Sequence, residues 1–226
     1  MANKTRIKAM AKELNLQTIA NGNLKELAMG NLDYLELILA QELESRKQSA
    51  IAKVKKFCNL PSIRFNKERL NKGLQHQIEK LLNCDWINKS KNLLVIGECN
   101  SGKTALATYL TGNAIEEGFK AFYIKAEELL AVVKGKEAMP KAQATFNKIK
   151  NTDLLVLDEM LYLNFAKENL ELLYKTVMLL NETTSIIFVT NREASQWLET
   201  AEDKYTMRLL ISRAVENAEV IRLPKL

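Results

Sequence analysis

The 226-residue sequence predicts an α/β fold, a parallel sheet sandwiched by helices, preceded by a small all-helical N-terminal module. Two observations predict it. Four apolar blocks, at residues 93–96 (LLVI), 121–124 (AFYI), 154–157 (LLVL) and 186–189 (IIFV), alternate with stretches of helical spacing. Blocks that are apolar at every successive position, rather than at every second one, suit strands buried on both faces, the habit of parallel sheets. The segment before residue 60 carries helical spacing instead, and the chain is long enough for one full α/β domain and a small extra module. We therefore expect a helical module over 1–60 and the α/β domain over 61–226, with the border in the polar stretch 59–72.

Taken in order, residues 6–16 place Ile7, Met10, Ala11 and Leu14 at helical spacing, and residues 24–28 end at Gly30, a natural helix stop. A long helix is expected from Leu32 to about Lys56, with Glu42 and Arg46 paired on its outward side and Pro61 beyond its end. Between Arg46 and Lys72 lie nine basic residues and one acidic one, Glu68. With a formal charge of +6, this run reads either as a solvated helix face or as a surface for nucleic acid, with Lys53, Lys55 and Lys56 as candidate contacts.

The block at 93–96 is followed at once by Gly97-Glu98-Cys99-Asn100-Ser101-Gly102-Lys103-Thr104, and then by a helix. This is the G-x-x-x-x-G-K-[ST] phosphate-binding loop in the strand–loop–helix setting it requires. Backbone N–H groups and the positive end of the helix face the phosphates, Lys103 neutralises β- and γ-oxygens, and Thr104 offers a hydroxyl to Mg²⁺. ATP and Mg²⁺ are thus the expected ligands. The block at 154–157 delivers Asp158 and Glu159 to the carboxyl edge of the sheet, where ligands of open α/β folds bind. Asp158 is expected to reach Mg²⁺ through water, and Glu159 to polarise the attacking water. Asn191, just beyond the block at 186–189, offers an amide to the same water from the other side.

A helix from about Glu127 to Val133 is expected to lead into a glycine-containing loop carrying Lys134 and Lys136, which reads either as an ordinary solvated loop or as a source of contacts to DNA phosphates; Lys141, Lys148 and Lys150 are weaker candidates. After a helix over 167–180, Arg208 and Arg213 sit on an apolar helical stretch, where each reads either as a surface salt bridge or as an arginine acting on a neighbouring subunit's phosphates, Arg213 being the better candidate for the second.

The composition also excludes classes. Three cysteines without C-x-x-C spacing and a single histidine argue against a zinc centre or a disulfide framework. No stretch approaches the roughly 18–20 apolar residues of a membrane span, and the basic N-terminus has no signal-peptide apolar block, so a cytoplasmic location is expected.

Arg6-Ile7-Lys8-Ala9-Met10-Ala11-Lys12-Glu13-Leu14, Asp85-Trp86-Ile87, Lys91-Asn92-Leu93-Leu94-Val95-Ile96-Gly97, Asp153-Leu154-Leu155-Val156-Leu157-Asp158-Glu159, Thr190-Asn191 and Ile211-Ser212-Arg213 stand in this order along the chain. Together they resemble the IstB-like ATPases of insertion sequences, relatives of the DnaC-type helicase loaders within the AAA+ class. The resemblance implies an AAA+ P-loop domain, with Asn191 at the first-sensor position and Arg213 at the arginine-finger position. It further implies an ATPase that forms a homo-oligomer on DNA, sequence-independently and with duplex favoured, and assists a transposase. The alternative is a loader of a replicative helicase. Two departures are the Ser212-Arg213 pair, where Asp-Arg is frequent in the family, and the absence of a Ser-Tyr-Arg tail element.

Overall fold

The computed structural model describes residue 9 and residues 11–12, 14–21, 31–160, 166–215 and 218–225. The helix expected over 24–28 lies outside the described residues, as do residues 6–8, 10 and 13 of the one over 6–16. The chain divides into two compact units, Met1–Lys53 and Val54–Leu226. In the first, α1 (Gln17–Asn21) is followed by α2 (Asn31–Phe57), a single helix that continues across the border. The division therefore falls inside the long helix, upstream of the polar stretch 59–72. Glu42 is buried, not outward as expected, and accepts from exposed Arg46 at 2.8 Å.

In the second unit, α3 (Lys72–Leu81) is capped by Asn71, whose side chain accepts from the Leu74 N–H, and the short α4 (Asp85–Asn88) follows. Next come β1 (Leu93–Ile96), α5 (Lys103–Glu116), β2 (Ala121–Lys125), α6 (Ala126–Gly135), α7 (Pro140–Lys150), β3 (Leu154–Asp158), α8 (Lys167–Leu180), β4 (Ser185–Thr190), α9 (Ala194–Thr200), α10 (Lys204–Val215) and β5 (Glu219–Arg222). The five strands form one parallel sheet in the order β2-β3-β4-β1-β5.

The sheet is buried on both sides because its strands supply two apolar faces. Leu94, Ile96, Phe122, Ile124, Leu155, Leu157, Ile186 and Phe188 join one core cluster with residues of α6 to α10. The intervening residues, among them Leu93, Val95, Leu154, Val156, Ile187 and Val189, point the other way by the two-residue period of a strand and are equally buried. The opposite face is that of α5, whose Leu106, Ala107, Leu110 and Ala114 are buried outside that cluster. A polar stitch joins layers at the lower edge: buried Asn92 donates to the Arg213 carbonyl at 3.2 Å and accepts from the Ile186 N–H at 2.9 Å.

The glycine expected to open a loop after α6 does not do so. Gly135 is the last residue of α6, and a Cβ there would lie 3.2 Å from Met139 Cε and 3.4 Å from Ala142 Cβ, so its missing side chain lets α6 and α7 approach. Lys134 is accordingly in the helix, not on a loop, while Lys136 caps the helix and opens the short turn to α7.

Candidate nucleotide site

The loop between β1 and α5 is shaped by two residues at positive φ, Asn100 at 65° and Gly102 at 87°, which bring its backbone over the N-terminus of α5. Gly97 has no room for a side chain. A Cβ there would collide with Ser101 Oγ and stand 3.0 Å from the Leu223 carbonyl, because the chain after β5 packs along the loop's entrance. There the Leu223 N–H donates to the Ile96 carbonyl at 2.8 Å, and Lys225 pairs with Glu98 at 3.0 Å.

Lys103 arches back over its own loop and donates to the Glu98 carbonyl at 2.6 Å. Burial lowers its pKa below the ordinary lysine value, against the opposing pull of Cys99 and Asp158.

Asp158 ends β3 and is buried. Its Oδ2 accepts from the Thr104 hydroxyl at 2.8 Å and from the Tyr123 hydroxyl at 2.7 Å, while its Oδ1 accepts from the Glu159 N–H at 2.6 Å. Burial, and after it the same carboxylate, pushes the Tyr123 pKa well above its usual value. Glu159 stands at φ 56°, a left-handed backbone that a side chain of this size adopts only when its surroundings hold it there. Its carboxylate pairs with Lys125 Nζ at 2.8 Å, and this hydrogen bond is the first cause of the raised Lys125 pKa.

Cys99, Asn100, Lys103, Thr104, Asp158, Glu159 and Asn191 line one cleft of about 260 Å³, together with Met160, Val189 and Thr190. Asn191 Oδ1 is buried there without a hydrogen-bond partner, as is Ser101 Oγ in the loop. Unsatisfied buried acceptors mark a place built for another donor. The paired oxygens of Thr104 and Asp158 are hard donors of the kind Mg²⁺ takes, so the site fits that ion. Beside this cleft, sharing Thr104 and Glu159 as walls, lies a second of about 510 Å³, lined also by Asn59, Leu60, Pro61, Ile63, Tyr123, Lys125 and Glu128.

Other expected residues lie apart. Arg213, in the last turn of α10, is at the opposite, amino-terminal edge of the sheet, where Asn92 holds its carbonyl; its Nε is buried and unpartnered. Lys134 donates to Asn169 Oδ1 at 2.6 Å, and Lys136 lies 4.7 Å from the Phe146 ring centroid. Lys55 pairs with Glu116, Lys56 is close to the Phe57 ring, and Lys53 is exposed in the first unit. Reasoning from sequence missed Tyr123 and Lys125. The signal was two polar groups closing an otherwise apolar strand, but only the pairing of Lys125 with Asp158 across β2 and β3 gives it meaning.

Comparison with known proteins agrees with this architecture. The profile of the IstB-like ATP binding proteins matches residues 1–225. An insertion sequence IS21-like ATP-binding protein of Bacteroides fragilis is 30% identical over 195 residues, covering 84% of this chain and 74% of the relative. The corresponding IS21 protein of Pseudomonas aeruginosa is 22% identical over 207 residues, 88% of this chain and 78% of that one. Among solved structures, DnaI superposes with a TM-score of 0.58 at 16% identity, over 68% of this chain and 87% of its own. The DnaC helicase loader does so at 0.56 and 16%, over 74% and 96%. DnaA of Aquifex aeolicus, bound to AMPPCP, gives 0.51 and 22%, over 70% and 48%.

Proposed function

The chain belongs to the IstB-like ATP binding proteins of insertion sequences, with an AAA+ fold shared with DnaC, and from that premise we propose that it hydrolyses ATP to control its assembly on DNA and assists a transposase in capturing target DNA. The observation that carries the reading is the convergence of Lys103, Thr104, Asp158, Glu159 and Asn191 on one cleft. An ATP-binding module without turnover needs the first three of these; a water-activating acid and an amide facing it serve hydrolysis.

In the mechanism we infer, the loop N–H groups and Lys103 take the β- and γ-phosphates, and Lys103 exchanges the Glu98 carbonyl for phosphate oxygens. Thr104 and Asp158 would hold Mg²⁺, which supplies charge neutralisation between the phosphates. Glu159 leaves Lys125 to accept a proton from the attacking water, and the Asn191 amide orients that water. Arg213 cannot serve its own cleft from the far edge of the sheet, so it acts in a neighbouring subunit's site, which makes the homo-oligomer part of the catalyst. Transposase partnership is supported by the insertion-sequence relatives, and DNA binding by the positive charge. ATP as substrate supports a cytoplasmic setting. Among the described residues no helix is long and apolar enough to cross a membrane.

Likeness to DnaC supports a second reading, a helicase loader. Co-purification separates the two: the tagged chain with ATP retains the transposase of its own insertion sequence under the first reading and a replicative helicase under the second. Retention of the helicase alone, together with strict preference for single-stranded over duplex DNA, overturns the first.

A further inference from the structure

We propose that Phe57, flanked by Lys56 and Lys148, is a docking site for an unpaired nucleotide of a DNA strand, the base stacking on the ring and the adjacent phosphates pairing with the two lysines. The proposal rests on the reading that this chain binds DNA and names where and in what form.

Phe57 is the last residue of α2 and is 54% exposed, an unusual fate for a large apolar ring. Two ammonium groups from different elements converge on it: Lys56 Nζ lies 5.9 Å from the ring centroid and Lys148 Nζ, from the last turn of α7, lies 5.0 Å away. The platform is fixed in place. Immediately after the ring, the Cys58 carbonyl accepts from the Tyr123 N–H at 2.8 Å and the Asn59 amide donates to the Tyr123 carbonyl at 3.2 Å, which ties the end of α2 to the free edge of β2. The backbone that carries the ring is therefore held in place before a ligand stacks on it, which lowers the ordering cost of binding.

Charge selects the class of partner. Phe57 lies within the run that holds nine basic residues and one acidic one, and Lys148 extends that charge from a distant part of the sequence. Ammonium groups over a ring are weakly held at an exposed site, so a polyanion draws them to its phosphates and frees the ring face for a base. A base inside a stacked duplex cannot present its face to Phe57, so the site reads unpaired nucleotides at strand ends, gaps or locally opened DNA. Stacking of this kind is tolerant of sequence.

The test is fluorescence anisotropy of the full chain, across a salt series, with labelled oligothymidine, the same strand with abasic residues, and a blunt duplex. Phe57→Ala should weaken oligothymidine binding about tenfold and leave the abasic strand and the duplex unchanged, while Phe57→Tyr, which keeps a ring, should bind as the parent does. Lys148→Gln should lower the slope of log affinity against log salt by about 0.7 on single strands, one phosphate contact. Equal binding of oligothymidine by Phe57→Ala and the parent, or equal weakening on the abasic strand, overturns the stacking site while duplex binding would leave the DNA reading standing. If the parent binds none of the three, both fall together.

Discussion

Asp158 and Glu159 are neighbours in sequence with opposite circumstances. Asp158 is buried and held by three hydrogen-bond donors, so it is a fixed support for the cleft; Glu159 is half-exposed, strained at the backbone and tethered by one ammonium, so it can move. Glu159→Gln should therefore keep nucleotide binding and lose turnover on the order of a hundredfold, which equilibrium binding of a labelled ATP analogue beside phosphate release would check. Lys125→Met removes the tether and should raise turnover severalfold in the absence of DNA; a fall instead would make the lysine a contributor to the reaction. Lys103 carries a pH prediction. Its pKa in the free protein lies below the ordinary lysine range, so it surrenders its proton as pH rises before an exposed lysine does, and ATP must restore that proton to bind. Affinity should thus begin to decline at a lower pH than titration of an exposed lysine would produce, and decline less in Lys103→Arg, whose guanidinium stays charged. Of these residues, the phosphate-binding loop and the acid pair were legible in the sequence because each chemical role sits within a few consecutive positions. Tyr123 and Lys125 were not, because their role arises only when β2 pairs with β3.

Central strands announced themselves as elements, since β1, β3 and β4 are buried on both faces and read as unbroken apolar runs. The edge strand β5 did not: Glu219-Val220-Ile221-Arg222 is short and bounded by charge, and Arg222 is spent on a bidentate pair with Glu193 at 2.8 and 3.0 Å. The helix α7 went unread although Pro140 opens it, because it buries only Phe146 and Ile149 and carries lysines elsewhere. Two element-scale consequences follow from buried joints. Trp197 of α9 is fully buried and donates its indole N–H to the Arg192 carbonyl at 3.3 Å, so Trp197→Ala should cost about 3–5 kcal/mol in urea unfolding. Asn92→Ala removes the amide that joins β4 to the end of α10 and should cost roughly 2 kcal/mol. It should also lower turnover with little change in ATP affinity, because Arg213 loses its anchor.

At the scale of the molecule, the sheet places the cleft on its carboxyl edge and Arg213 on its amino edge, and our proposal therefore has Arg213 complete the site of a neighbouring subunit. Catalysis should then be a property of the assembly. Subunits carrying Arg213→Ala and subunits carrying Glu159→Gln should each be inactive alone and recover part of the activity when mixed. The most direct test of the whole account is steady-state phosphate release by the purified chain, with and without DNA, beside Glu159→Gln. We predict turnover that rises on adding DNA and that the substitution abolishes; turnover no greater than that of Glu159→Gln under every condition would contradict the account and leave an ATP-binding protein that does not hydrolyse.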